Sequence, residues 1–144
     1  MPSINALRVL VVDDDTATRD LLAEVLQALG ACVRMAGSAS DARRALAAER
    51  PDVIVSDVSM PDEDGCELMR GIRRLPAVDG GRVPAIAFTA AQDNDTLVRA
   101  LHCGFTAVLH KPLDVEALVA AIAQVADTAD RLPLETEGPV ARDS

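Results

Sequence analysis

The stretch Val53-Ile54-Val55-Ser56-Asp57-Val58-Ser59-Met60-Pro61-Asp62-Glu63-Asp64-Gly65 decides the fold. Val53-Ile54-Val55 is a short apolar, β-branched run of the kind buried on both faces of a parallel sheet, whereas Met60 to Gly65 reads as a loop that ends the strand. Asp57 therefore stands at the carboxyl end of a buried strand, the edge at which open parallel α/β sheets bind ligands. Taken alone, such an aspartate also serves merely to start a turn. The segments on either side decide between these readings.

Upstream, residues 7–12 (Leu-Arg-Val-Leu-Val-Val) predict a first strand that runs into Asp13-Asp14-Asp15 before Thr16 opens a helix. Leu21, Leu22, Val25, Leu26 and Leu29 recur at helical spacing on that helix, and Gly30 stops it. A short strand is expected at 32–35, followed by an Ala-rich helix with N-cap residues in Ser38-Ala39-Ser40-Asp41 and an end before Pro51. Downstream of the central stretch, a helix is expected over 66–75 with Leu68, Met69, Ile72 and Leu75 on its inner face. The turn-rich segment 76–82 then connects to a strand at 83–88 that ends in Thr89-Ala90-Ala91. A helix capped by Asp93-Asn94-Asp95 reaches Cys103, and Gly104 stops it. The last strand is expected at 106–109, followed by His110-Lys111-Pro112, and Asp114 caps a final helix over 115–126. Five strands alternating with five helices imply a doubly wound parallel sheet covered on both faces. The expected organisation is one domain over residues 1–127 and a flexible tail over 128–144.

Composition bounds the function. A chain of 144 residues, 49% hydrophobic and 26% charged, is long enough to bury a core without metal or disulfides. Net charge −9, pI near 4.5, two Phe and no Trp or Tyr argue against nucleic-acid binding, since neither a basic surface nor a stacking platform is available. No apolar run suits a signal peptide or a membrane span, so a cytoplasmic protein is expected. Cys32, Cys66 and Cys103 are far apart and odd in number, and are read as reduced thiols without metal-ligand spacing.

Every polar residue that stands out falls just past the carboxyl end of a strand: Asp13, Asp14 and Asp15, then Asp57, Thr89 and Lys111. In a parallel sheet these ends share one edge, so separate loops bring carboxylates, a hydroxyl and an ammonium together. Like charges a few ångströms apart repel by roughly 4 kcal/mol per pair at intermediate dielectric, and the cluster calls for a cation. An all-oxygen site of two or three carboxylates suits Mg²⁺. One carboxylate can then act as a nucleophile, with Mg²⁺, Lys111 and Thr89 placed to neutralise a transferring phosphoryl group.

The residues Val11-Val12-Asp13-Asp14-Asp15, Asp57 with Met60-Pro61 and Gly65, Phe88-Thr89-Ala90, and Lys111-Pro112 together resemble the receiver domain of two-component response regulators, over roughly residues 7–125. The resemblance implies a flavodoxin-like α/β fold with strand order 2-1-3-4-5 and Asp57 as the phospho-acceptor. It also implies that Asp13, Asp14, Asp57 and the Ser59 backbone carbonyl hold Mg²⁺, that Thr89 turns toward the phosphoryl group, that Lys111 pairs with it, and that the Lys111-Pro112 bond is cis. The partners implied are a histidine kinase or histidine phosphotransfer protein and a downstream protein effector. No nucleic acid or membrane partner is implied, and pairing into a homodimer is open. Both a stand-alone receiver and one attached to a hybrid histidine kinase fit. The chain departs from the family where many members carry Tyr or Phe three residues before the lysine: here stands Val108. Ser59 and Ala91 offer attacking water no carboxylate or amide, and slow self-dephosphorylation is expected. Phe105 is read as core, Asp15 as a helix-start residue, His110 as a strand-end surface residue, Ser56 as strand packing, and Asp62, Glu63 and Asp64 as a solvated loop.

The expected activity is a phosphorylation-dependent switch acting on a surface of the fourth helix, fifth strand and fifth helix, with no catalysis beyond its own phosphorylation and dephosphorylation. The competing readings are a small Mg²⁺-dependent phosphatase with an aspartyl nucleophile, for which Asp13-x-Asp15 has the spacing, and a binding module of the same fold.

Overall fold

In the computed structural model, residues 3–60 and 63–137 are described, with side chains as far as residue 127. The elements alternate as β1 (Arg8–Val12), α1 (Thr16–Ala28), β2 (Cys32–Ala36), α2 (Ala39–Ala48), β3 (Val53–Ser56), α3 (Gly65–Arg73), a 3-10 turn (Ala77–Asp79), β4 (Ala85–Thr89), α4 (Asn94–Cys103), β5 (Ala107–His110) and α5 (Val115–Glu137). All five strands are parallel in the order β2-β1-β3-β4-β5. The chain steps from β1 outward to β2 and then back across to β3, so the winding reverses between β1 and β3, and a crevice opens at their carboxyl ends.

The two-residue period of each strand builds two cores. Leu10, Val12, Ile54, Ala85 and Ala87 point to one face, which α2, α3 and α4 cover. Val9, Val11, Val53, Val55, Ile86 and Phe88 point to the other, under α1 and α5. The inner strand β3 is buried along its whole length, in keeping with its unbroken apolar run.

Local chemistry explains the helix ends. Asp15 accepts from the Thr18 amide at the start of α1, Ser38 from Asp41 on α2, and Asp93 from Thr96 on α4. Asp64 and Glu67 form a reciprocal capping box on α3. Gly104 ends α4 at φ 122°, and a Cβ there would lie 2.8 Å from the Arg73 Cγ. The Arg73 guanidinium beneath it donates to the carbonyls of Gly104 (2.8 and 3.0 Å), Val83 (2.7 Å) and Gly81 (3.1 Å), fastening the end of α3 to the connections on both sides of β4. Burial lowers the pKa of that guanidinium from its ordinary value.

Several expectations need correction. Leu21, Leu29 and Leu75 are exposed, because each helix packs a narrower stripe than its apolar spacing suggests; on α1 the buried residues are Leu22, Ala23 and Leu26. β4 and β5 each lie one to two residues later than expected, so Thr89 and His110 belong to strands. α5 runs beyond its expected end at residue 126 to Glu137; Ala, Arg, Leu and Glu in that segment are good helix formers and outweigh its poor apolar period. Residues 138–144 of the expected tail lie outside the described residues. Cys66 and Cys103 are joined in a disulfide rather than free, because α3 and α4 pack side by side and bring Cα atoms 37 positions apart in sequence to within 5.4 Å. Cys32 is free and exposed, as read.

Candidate functional site

The turn after β1 is held from several sides. The Asp13 amide donates to the Ala36 carbonyl (3.1 Å), tying it to the end of β2, and the Asp13 carboxylate accepts from the Asp15 amide (2.9 Å). Arg19, one turn into α1, donates to the Asp13 carbonyl at 2.8 Å. Asp13 is thereby 1% exposed while Asp14 faces solvent. Asp57 is fixed by its amide on the Val12 carbonyl (2.9 Å), which hangs β3 beside β1, and by the Ser59 amide, which approaches its Oδ1 at 3.3 Å. Ser56 is buried and donates its hydroxyl to the Asp57 carbonyl (2.9 Å), so its role is structural.

Gly65 is required by close approach. Its amide donates to the Val58 carbonyl (2.7 Å), and a Cβ on it would overlap the Asp57 carbonyl oxygen and come within 3.0 Å of the Val58 Cα. The loop that Gly65 closes is pinned at its rim by Arg43 of α2 on Glu63 and Arg99 of α4 on Asp64. Glu63 and Asp64 are thus ion-paired as well as solvated; Pro61 and Asp62 lie outside the described residues.

From the other side comes Lys111, presented by the end of β5 ahead of a cis Lys111-Pro112 peptide bond, as expected. Its amide donates to the Thr89 carbonyl (2.8 Å) and its ammonium passes 5.5 Å from the centre of the Phe88 ring. The Nζ then lies 3.2 Å from Asp13 Oδ2 and 3.5 Å from Asp57 Oδ2. The Thr89 hydroxyl is buried and accepts from the Ala91 amide (3.1 Å). The Ala91 carbonyl is in turn 3.0 Å from Nδ1 of the exposed His110. Phe105 is in the core and Val108 packs partly buried against it.

Carboxylate oxygens of Asp13, Asp14 and Asp57 lie within 4.8 Å of one another. Burial raises the Asp57 carboxyl above its ordinary pKa; Lys111 pulls it down without cancelling that effect, and Asp13 adds to the rise. Burial also opposes charge on Lys111, but the Asp57 and Asp13 carboxylates outweigh it, and the ammonium holds its proton above the ordinary lysine value. Three carboxylates against one ammonium leave negative charge to be met. An all-oxygen donor set of this kind fits a hard divalent cation such as Mg²⁺. A shallow depression lined by Asp14, Gly37, Ser38, Met60 and Glu63 adjoins the cluster at Asp14.

The structure thus brings Asp13, Asp14, Asp57 and Lys111 together. It places Thr89 at the adjoining strand end, one hydrogen bond from the Lys111 backbone. Asp15 is turned away into the α1 cap, where the Thr18 hydroxyl and amide lower its pKa. Sequence reading missed Arg19, whose only signal is a basic residue one turn into a helix that follows an acidic run. It also missed the Arg43 and Arg99 clamps, which long-range packing alone reveals.

A five-stranded sheet of this order with clustered carboxylates and a lysine at its switch point defines the class of α/β domain in which ligands meet the strands' carboxyl ends. Residues 9–123 match the model of the response regulator receiver domain. The chain is 42% identical over 124 residues to an uncharacterised 14.6 kDa protein of Leptolyngbya boryana, covering 86% of this chain and 93% of that protein. It is 36% identical over 115 residues to the response regulator MprA of Mycobacterium ulcerans, covering 80% of this chain and 48% of MprA, so it spans about half of that relative. Chemotaxis protein CheY4 of Vibrio cholerae superposes with a TM-score of 0.77 at 28% identity, covering 83% of this chain and 98% of CheY4. The chain belongs to the response regulator receiver family. Among the described residues no helix is long and apolar enough to cross a membrane.

Proposed function

We propose that this receiver domain is a cytoplasmic switch that takes a phosphoryl group onto Asp57 from a phosphohistidine of a histidine kinase or histidine phosphotransfer protein. The observation that carries this reading is the half-buried Asp57 carboxylate at the switch point with the Lys111 ammonium 3.5 Å away. An Asp57 oxygen forms the new bond to phosphorus as the phosphorus–nitrogen bond to the donor imidazole breaks, and the imidazole leaves with the electron pair. Asp13, Asp14, Asp57 and the Ser59 carbonyl would hold Mg²⁺, which when bound supplies positive charge at the phosphoryl oxygens. Lys111 adds its ammonium to the same oxygens, and Gly65 and the Val12 carbonyl keep the Asp57 backbone in place.

The product is read through Thr89. Its hydroxyl leaves the Ala91 amide for the phosphoryl group, and the released loop displaces α4 and the adjoining face of β5 and α5. A protein effector recognises that face, and the same surface would pair two copies of the chain. With Val108 in place of an aromatic, no ring rotation reports the state. The chain turns over no substrate beyond its own phosphoryl group. A phosphatase reading is not favoured, since Asp15, the residue at acid/base spacing from Asp13, is committed to capping α1.

Intact-protein mass spectrometry after incubation with acetyl phosphate tests this. The expected result is a single phosphoryl adduct that requires Mg²⁺ and is absent from Asp57→Asn. Steady phosphate release without an adduct, or an adduct retained by Asp57→Asn, would overturn the assignment.

A further inference from the structure

We propose that Cys66 and Cys103 are a reversible redox site that sets how far α4 can move; its signalling meaning rests on the phosphorylation reading above. Cys66 lies in the first turn of α3 and Cys103 ends α4, and their Cα separation of 5.4 Å is within the range for a disulfide without backbone displacement. Both are buried in the core between those helices and the sheet.

Apart from the Arg73 guanidinium on the Gly104 carbonyl at its end, α4 is lightly anchored. Its buried side chains are Ala100 and Cys103, while Val98 and Leu101 are exposed. The Arg99 ion pair to Asp64 is partly exposed and so partly screened by solvent. The disulfide therefore makes one of the two buried anchors covalent. Acceptors for the reduced state are at hand: in the bonded form the Arg99 carbonyl oxygen lies 3.7 Å from Cys66 Sγ and that of Ala100 3.2 Å from Cys103 Sγ, so opening the S–S bond leaves each thiol beside a carbonyl of α4.

The tie brackets the site. Cys66 follows Gly65, the residue packed on the Asp57 carbonyl, and Cys103 ends the helix that begins beyond the Thr89 loop. The covalent loop it closes contains β4 and Thr89. Oxidised, α4 is locked against α3 and Thr89 has no mobile element to release; reduced, it responds.

The oxidant is hydrogen peroxide. A thiolate of the pair attacks one peroxide oxygen, the O–O bond breaks, and the hydroxide that leaves takes up the proton the thiol gave up and becomes water, giving a sulfenic acid on the attacking cysteine; the second thiol displaces the sulfenic hydroxyl as another water and forms the S–S bond. Two thiols thus pass two electrons to the peroxide. A dithiol reverses the step by exchange, forming its own disulfide. Local opening of the lightly held α4 gives the oxidant access, and the rarer opening that remains in the oxidised protein admits the reductant.

The test uses the full chain under dithiothreitol or hydrogen peroxide. Alkylation and intact mass count free thiols: three are expected when reduced and only Cys32 when oxidised. Amide exchange of residues 94–103 is then followed with and without acetyl phosphate and Mg²⁺. In the oxidised protein α4 should exchange about tenfold more slowly, as expected for suppressed local opening, and its response to acetyl phosphate should vanish. Cys103→Ser and Cys66→Ala should each behave as the reduced protein in both media. Three alkylated thiols after peroxide, equal α4 exchange in the two media, or an equal response to acetyl phosphate would overturn the proposal. An absent adduct in both media would overturn the phosphorylation reading instead, and the redox site would stand on the exchange difference.

Discussion

Burial holds the Asp57 carboxyl above its ordinary pKa, which gives its removal a defined sign. Its pKa is raised in the fold, chiefly by burial, so the native state binds more protons than the unfolded chain between 3.8 and the native value, and stability falls as pH rises through that window. In a chelator at neutral pH, Asp57→Asn should therefore be the more stable protein, by about 1 kcal/mol on the scale of a single relieved charge. Below about pH 3.8, where the carboxyl is neutral in both states, the advantage should disappear; urea titrations across pH measure it. Gly65 makes the opposite case. Gly65→Ala drives a methyl into the Asp57 carbonyl, and we expect a loss of about 1–3 kcal/mol in urea unfolding, as for overpacking in general, with slower formation of the Mg²⁺-dependent adduct. The site residues were legible because each follows an apolar strand: Asp57 after Val53-Ile54-Val55, Lys111 after β5. Arg19 was not, because a basic residue one turn into a helix after an acidic run does not by itself show that its guanidinium meets the Asp13 carbonyl.

Arg73 shows an element held by one side chain. Its guanidinium serves the carbonyls of Gly81, Val83 and Gly104 at once, so Arg73→Leu strips partners from three backbone acceptors where α3, β4 and α4 meet. A loss of about 2–4 kcal/mol is expected in chemical denaturation, and Arg73→Lys should recover less than half of it, since an ammonium lacks the planar fork. The elements themselves were readable from period and punctuation, as the Asp15 and Ser38 caps and the Gly104 stop attest. Their burial was less so. Leu21 and Leu29 have the spacing of inner residues, yet how wide a stripe a helix buries depends on the tilt at which it crosses the sheet. The pairing of Cys66 with Cys103 is of the same kind, since it depends on α3 lying beside α4. At the other end, α5 extends into the expected tail, because helix propensity there outweighs the poor apolar period on which that expectation rested.

For the molecule as a whole, the net charge is −9, and three of its carboxylates share the sheet's edge. Ligand linkage then predicts that Mg²⁺ at a hundredfold its dissociation constant raises wild-type stability by about 2.7 kcal/mol, and that Asp57→Asn gains clearly less; thermal unfolding with and without the ion checks both. The doubly wound parallel class was legible because four crossovers of helical length join the five strands, while the strand order, and with it the winding reversal between β1 and β3, came from the resemblance to the receiver family. Lys111 reaches that edge bearing the one primary amine among the chain's side chains, for the other thirteen residues counted with it as basic are arginines. Reagents that acylate or reductively methylate amines will consequently mark two places, the amino terminus and the seat of the switch. An isotopic methyl on Lys111 becomes a single spectroscopic reporter beside Asp57, able to follow cation arrival and phosphoryl gain without an aromatic dye or an engineered tag.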